Sequence, residues 1–102
     1  MRFGEVLIAM GANPKRRFTR MGWVGKTSFI YLVPAHKVLA SDWTGPRECI
    51  RHEDVQEDDG AVITEHYVDV WSHIDICMGG IVIVGWTPAQ TDMALDDWIE
   101  VF

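Results

Sequence analysis

The N-terminal end of the chain has the hydrophobic spacing of an amphipathic helix. Apolar side chains recur there at the i, i+3, i+4 and i+7 positions that form one face of a helix, and they are Phe3, Val6, Leu7 and Met10. Gly11 can end this helix. The pattern predicts a short N-terminal helix with one face on the core.

Runs of β-forming residues separated by turn residues predict an antiparallel sheet further along the chain. Gly79 and Gly80 lie between two apolar runs and indicate a hairpin. Pro34 ends an earlier run, and the basic residues 15–20 are compatible with a strand at a sheet edge. The predicted strands are residues 28–33, 61–78 with one break, 81–84 and 98–102.

The segment after this hairpin predicts a second, short helix from about Pro88 to Leu95. Thr87 can be its N-cap, Pro88 suits the first helical position, and Gln90 lies three residues after the cap, which is a capping box. A helix start offers free N–H groups to a phosphate, and Trp86 beside it offers a stacking surface. On the cap alone, a helix start next to a core tryptophan is the simpler interpretation.

Residues 34–60 have no comparable pattern. Gly45-Pro46 and Asp59-Gly60 are turn signals, and the acidic residues between Glu53 and Asp59 are most simply a solvated loop. We therefore expect a mobile excursion with one short strand at about 34–60, as a variable insert.

These elements define an α+β fold, a small single domain of residues 1–102. Its antiparallel β-sheet carries an N-terminal helix and a short C-terminal helix. The length fits one domain. Five tryptophans are many for such a chain, and we expect some of them in a ligand pocket or a subunit interface. We assign Trp43, Trp71 and Trp98 to the core or an interface.

The charge distribution narrows the choice of partner. A formal net charge of −6 argues against a general nucleic-acid-binding protein. A local basic cluster on an acidic protein fits a small anionic ligand better than a long polyanion. The cluster consists of Lys15, Arg16, Arg17, Arg20 and Lys26.

Cysteine usage and hydropathy suggest the compartment. Cys49 and Cys77 form no CxxC motif, so free thiols in a reducing compartment are expected. No apolar run approaches the ~20 residues of a membrane span. We expect a soluble cytoplasmic protein that has no membrane partner.

Neither metal chemistry nor nucleophilic catalysis has a recognisable motif. His52, His66 and the other potential ligands lack the tight spacing of a zinc site, so no metal is expected. No serine or cysteine lies in a nucleophile motif. His73 and Asp75 share a strand face, where they could do acid–base work, bind hydroxyls or adenine edges, or pair across strands. Binding or structure ranks above catalysis.

The loop from Gly22 to Lys26 ends like a phosphate-binding Walker A motif, but its first glycine is too close to the second. A P-loop is therefore rejected. The loop carries Trp23 between Arg20 and Lys26, with a flexible Gly25. It fits an anion-and-base site as well as it fits a tight turn with a buried tryptophan.

Together these segments resemble the Thoeris anti-defence 2 family of phage proteins. The resemblance covers roughly residues 2–33 and 66–101. It rests on four motifs: Phe3-Gly4-Glu5, Arg20-x-Gly22-Trp23-x-Gly25-Lys26, His73-Ile74-Asp75, and Gly85-Trp86-x-x-x-Gln90-x-Asp92-x-x-x-x-Asp97-Trp98.

The resemblance implies a non-enzymatic protein without a cofactor that acts in the cytoplasm of the infected host. Such proteins sequester glycocyclic ADP-ribose, the cyclic nucleotide signal of Thoeris immunity, and do not cleave it. Members are homotetramers with pockets at subunit interfaces. Some also bind cyclic dinucleotides of the related CBASS systems at a separate site.

The matching positions are the expected ligand-binding residues. Trp23 and Trp86 would stack on bases. Phosphates would be held by Arg20, Lys26 and the helix start. The ribose or base edges would be contacted by His73, Asp75 and Asp92. The full predicted set is Arg20, Trp23, Gly25, Lys26, His73, Asp75, Trp86, Thr87, Pro88, Gln90, Thr91 and Asp92.

Three other interpretations remain open at this point. An enzyme that degrades the signal would need a base with a nucleophile or metal, and neither is evident. An acidic protein that mimics DNA would explain the charge of −6 and the acidic run. The basic N-terminal cluster and the tryptophans count against it. A phage structural domain without a ligand is the plainest alternative.

Overall fold

The computed structural model describes residues 1–23, 27–56 and 58–102. The chain forms two compact units, one of residues 1–34 with 72–102 and one of residues 35–71. Its elements in chain order are α1 (Phe3–Ala12), β1 (Arg17–Arg20), β2 (Phe29–Val33), β3 (His36–Leu39), β4 (Arg51–Gln56), β5 (Val62–Val70), β6 (His73–Met78), β7 (Ile81–Ile83), α2 (Gln90–Ala94) and β8 (Trp98–Val101).

The first unit is a five-stranded antiparallel sheet in the order β7-β6-β2-β1-β8. Phe18 lies opposite Ile30, and Ile30 lies opposite Ile76, so one row of apolar side chains crosses three strands. Burying each of these side chains contributes roughly 1.5–3 kcal/mol. The basic strand β1 has neighbours on both sides, so its predicted position at a sheet edge is wrong.

Helix α1 packs its apolar stripe on this row. Phe3, Val6 and Met10 are buried in the same cluster as Phe18 and Trp98. Leu7, which the spacing also placed on the core face, is 44% exposed. The helix continues past Gly11 to Ala12. The predicted helix is otherwise confirmed.

The glycine hairpin is confirmed as well. Gly79 and Gly80 have φ of 57° and 83°, which is the left-handed region that a two-residue hairpin turn uses. The turn joins β6 to β7, and Met78 lies opposite Ile81.

The second unit is a three-stranded antiparallel sheet in the order β3-β5-β4. Two short 3₁₀ turns, Ala40–Asp42 and Arg47–Cys49, connect β3 to β4. Tyr67 and Val68 of β5 are buried. Because β5 supplies the central strand, this unit extends to residue 71, beyond the segment expected as an insert.

The prediction of one short strand in this region is wrong, because the region contains both β3 and β4. Glu53 and Asp54 belong to β4 and not to a loop. The hydroxyl of Tyr67 donates to Glu53 at 2.6 Å, and that of Thr64 donates to Asp54 at 2.7 Å. These cross-strand hydrogen bonds give the carboxylates partners inside a sheet.

The chain is thus a small α+β domain with an N-terminal helix and a short C-terminal helix, as predicted, but with two antiparallel sheets instead of one. Among the described residues, no helix has the length and hydropathy needed to cross a membrane.

Candidate functional site: an aromatic-lined pocket

The first unit contains a cavity of about 610 Å³ on the sheet face that also carries Ile76. Pockets for small molecules usually measure about 300–1,000 Å³. Among the described residues, its apolar wall consists of Trp23, Trp86, Ile76, Met78 and Ile83, and the other lining residues are Gly22, Ser28, Gly85, Thr87 and Asp92. The cavity therefore suits a ligand with flat apolar surfaces and a few polar groups.

Two indoles form a corner of this cavity. The rings of Trp23 and Trp86 have their centroids 6.0 Å apart and their planes at 74°. Both also meet Trp98 edge-on, at 5.2 and 6.2 Å. Because the two planes are nearly perpendicular, they cannot sandwich one base between them. A base stacked on one indole would meet the other at its edge.

The position of Trp86 is set by the chain around it. The backbone N–H of Trp86 donates to the carbonyl of Ile74 at 2.7 Å. The preceding Gly85 has φ of 78°, which favours glycine. The N–H of Gly85 donates to Oδ1 of Asp75 at 3.0 Å. Strand β6 thus fixes the tryptophan through one backbone and one side-chain hydrogen bond.

The position of Trp23 is set by a tight turn after β1. The backbone N–H of Trp23 donates to the carbonyl of Arg20 at 3.2 Å. The N–H of Gly22 donates to Oδ2 of Asp97 at 3.3 Å. A Cβ at Gly22 would lie 3.2 Å from the same oxygen, which is why the smallest residue fits this approach.

Arg20 is the last residue of β1, at the start of this turn, and its side chain is only 8% exposed. Its Nε and one terminal nitrogen donate to both carboxylate oxygens of Asp97, at 2.8 and 3.1 Å. The other terminal nitrogen donates to Oδ1 of Asp92 at 2.7 Å. Hydrogen bonding to Arg20 lowers the pKa of Asp97, and hydrogen bonding to Asp97 raises the pKa of Arg20. The guanidinium therefore has carboxylate partners where a phosphate was expected.

Asp92 also determines where α2 begins. Its Oδ2 accepts the N–H of Ala89 at 2.7 Å, so Ala89 is the N-cap and Gln90 the first helical residue. The predicted cap at Thr87 and start at Pro88 are wrong, because this carboxylate competes better for the free N–H. A phosphate contact at the helix start stays a prediction, with the N–H of Ala89 already bonded.

His73 and Asp75 lie on the other face of the sheet from the cavity. Successive side chains of a strand alternate between faces, and Ile76 faces the cavity. Nε2 of His73 is 3.4 Å from Oδ1 of Asp75, which is buried and lies opposite Tyr31. Burial, and then the charge of Asp75, raise the pKa of Tyr31. His73 and Asp75 share a strand face, as predicted, but that face is away from the cavity.

The remaining predicted residues are distributed unevenly. Thr87 lines the cavity, whereas Pro88, Gln90 and Thr91 follow it in the chain and do not contribute to the lining of this cavity. Gly25 and Lys26 lie outside the described residues. Nothing in the described parts of the chain groups three potential metal ligands.

Some residues of this site carry no recognisable motif in the sequence. Ile76, Met78 and Ile83 belong to its apolar wall, and the two-residue periodicity of β6 is the signal that places the first two on one face. Asp97 was noticed only as part of a motif. Its structural role depends on Arg20, which lies 77 residues earlier in the chain.

Fold and site define a class of protein, a small α+β domain whose sheet carries an aromatic pocket. Residues 1–101 match the Thoeris anti-defense 2-like domain, and the chain belongs to that family. The resemblance expected from the motifs is confirmed. The family is named for an anti-defence function against Thoeris. No curated protein matches the chain.

Proposed function

We propose that the chain binds and sequesters a cyclic nucleotide immune signal, glycocyclic ADP-ribose, without cleaving it. One observation carries this proposal: a cavity of about 610 Å³ with Trp23 and Trp86 in its wall. The perpendicular indoles give an adenine base a face to stack on and an edge to contact. The cavity is large enough to take a nucleotide.

Sequestration needs a higher affinity than base stacking alone provides. Stacking contributes only ~1–3 kcal/mol per base, whereas nanomolar binding corresponds to about −12 kcal/mol. The difference must come from phosphate contacts and from enclosure. From its position in the motif, Lys26 is the proposed phosphate ligand. Thr87 offers a hydroxyl at the rim.

A second copy of the chain would supply the enclosure. Strand β7 is at one edge of the sheet, and Ile81, Val82 and Ile83 are 69, 50 and 50% exposed. Ile83 also lines the cavity. Exposed apolar edges favour pairing with another chain. This exposure supports the homotetramer with pockets at subunit interfaces that the family resemblance implies.

We assign positioning roles to the buried polar residues. Arg20 donates to both Asp92 and Asp97, and Asp97 also accepts the N–H of Gly22 in the turn that carries Trp23. Asp75 holds Gly85 next to Trp86. Arg20, Asp75 and Asp97 would affect the ligand through the two tryptophans, whereas Asp92 also lines the cavity, where a ligand can contact it.

Isothermal titration calorimetry with glycocyclic ADP-ribose tests the stacking assignments. Trp23→Ala and Trp86→Ala should each weaken binding by about 5- to 150-fold, which corresponds to ~1–3 kcal/mol. Trp71→Ala is the matched control, because Trp71 is 85% exposed in the second unit. Unchanged binding by either pocket variant would remove that tryptophan from the site.

Titration with cyclic dinucleotides of CBASS tests the second ligand class.

The proposal also excludes cleavage. After incubation with the protein, heating should release the signal with its mass unchanged. Release of hydrolysed products would make the protein a degrading enzyme instead.

A further inference from the structure

The second unit brings together two histidines that are far apart in the sequence. His52 of β4 and His66 of β5 are direct cross-strand partners. Their Nδ1 atoms are in contact, and the ring centroids are 4.6 Å apart with the planes at 80°. Both side chains are exposed. Because 14 residues separate them in the sequence, the pair does not show the short spacing of a typical metal-binding motif.

Two imidazole nitrogens that face each other have few stable arrangements. Nitrogens in contact share one proton, and after a small rotation of the exposed rings both can instead direct their lone pairs at one cation. Neutral imidazole is the commonest protein ligand for borderline transition metals. The antiparallel ladder fixes the two Cβ atoms ~4.5–5.5 Å apart, so both rings stay within reach of one ion.

We propose that His52 and His66 form a two-histidine binding site for a divalent transition ion such as Zn²⁺ or Ni²⁺. The rings border a cavity of about 240 Å³, which has room for the water ligands that would complete the coordination. Among the described residues no group of three potential ligands is assembled. The site therefore keeps open coordination positions, unlike a closed structural zinc site.

One positive and one negative side chain near the site have opposite effects on the binding of a cation. Arg47 lines the same cavity and opposes a cation. Asp54 is on the same strand face as His52, two residues further along β4, and its Oδ1 accepts the hydroxyl of Thr64 at 2.7 Å. This carboxylate attracts a cation without being a ligand. The imidazoles provide the selectivity, because a hard cation such as Mg²⁺ prefers oxygen ligands.

A bound ion would link β4 to β5. Binding to the folded state alone favours that state by the factor 1 + [ion]/Kd. At a free ion concentration 100 times Kd, opening of the β4–β5 ladder is suppressed about 100-fold. The site would thus stabilise the second unit independently of the tryptophan-lined cavity of the first.

Equilibrium dialysis of tag-free protein against Zn²⁺, Ni²⁺ and Mg²⁺ tests this site. We expect one Zn²⁺ or Ni²⁺ per chain, no Mg²⁺, and loss of binding in His52→Gln and in His66→Gln. His36→Gln is the matched control, because His36 is an exposed histidine in the same sheet. Binding that survives in both site variants, or no binding by the wild type, would overturn the proposal.

Hydrogen exchange gives a second readout that does not depend on stoichiometry. In the wild type, saturating Zn²⁺ should slow amide exchange along β4 and β5 by up to about 100-fold when the free ion exceeds Kd 100-fold. The same addition should leave exchange unchanged in His66→Gln. Equal protection in both proteins would show that the ion binds elsewhere and would refute the pair as its site.

Discussion

The carboxylate of Asp92 joins α2 to the turn that carries Trp23, and its removal should destabilise the fold strongly. Asp92→Ala removes two hydrogen bonds. One is the charge-assisted bond from Arg20 at 2.7 Å, and the other is the bond from the N–H of Ala89 at 2.7 Å. Both charged side chains are at most 10% exposed, so solvent cannot replace the lost partner.

The magnitude follows from these two contacts. A hydrogen bond to a charged group contributes about 1.5–3 kcal/mol, and loss of a helix cap costs about 1 kcal/mol. Breaking a buried ion pair by removing one partner costs about 3–5 kcal/mol. We therefore expect Asp92→Ala to lower the free energy of unfolding by about 3–4 kcal/mol. Asp92→Asn keeps one acceptor oxygen and should cost about half as much.

Urea unfolding followed by tryptophan fluorescence measures the change in the free energy of unfolding. Thermal unfolding with the same signal measures the midpoint. At about 4 °C per kcal/mol, the thermal midpoint of Asp92→Ala should fall by roughly 12–16 °C. Asp96→Ala is the matched control. Asp96 is 64% exposed and pairs with the N-terminal amine at 3.3 Å, a surface contact of at most about 1 kcal/mol. Equal stability of the two variants would refute the structural role of Asp92.

Three further outcomes follow from other parts of the first unit. Phe18 is fully buried, so Phe18→Ala should lower the free energy of unfolding by about 3–5 kcal/mol in denaturant titrations. Gly85→Ala should cost about 1–2 kcal/mol, because the φ of 78° strains any L side chain although nothing lies within 4 Å of the added Cβ; a stability equal to that of the wild type would contradict this. Hydrogen bonding to Arg20 depresses the pKa of Asp97 below its ordinary 3.8, so its stabilisation is complete above that value and is lost as the pH falls through the depressed pKa. Acid titrations of unfolding should show a smaller decline in Asp97→Asn than in the wild type.

Local patterns predicted the elements whose determinants are close in the sequence. The spacing of Phe3, Val6 and Met10 was sufficient for α1, and Gly79-Gly80 was sufficient for the hairpin. Both depend on residues within a few positions of one another, where side-chain periodicity and turn chemistry are directly readable.

Distant partners account for what the sequence did not reveal. The acidic strand β4 is stable because β5 supplies hydroxyl donors to its carboxylates, and no property of β4 alone indicates this. The start of α2 was misplaced because Asp92 takes the N–H of Ala89 while also binding Arg20, 72 residues away. A strong local cap at Thr87 lost to a carboxylate that the buried network already held in place.

The tryptophans and the arginine of the candidate site differ in how far the sequence indicates their roles. Trp23 and Trp86 were predicted from their motifs, and the structure brings their rings to 6.0 Å. The direct phosphate contact expected of Arg20 rests on its charge and its position in the motif. A positive side chain near a loop is equally suited to an ion pair, and its two aspartate partners come from the C-terminal quarter of the chain.

The most direct test of sequestration is the ligand that the protein carries out of cells. The protein should be purified from cells that make the Thoeris signal, denatured by heat, and the released material identified by mass spectrometry. We expect intact glycocyclic ADP-ribose from the wild type and a strongly reduced amount from a Trp23→Ala, Trp86→Ala double variant. Recovery of no nucleotide, or only of cleaved products, would contradict the proposed function.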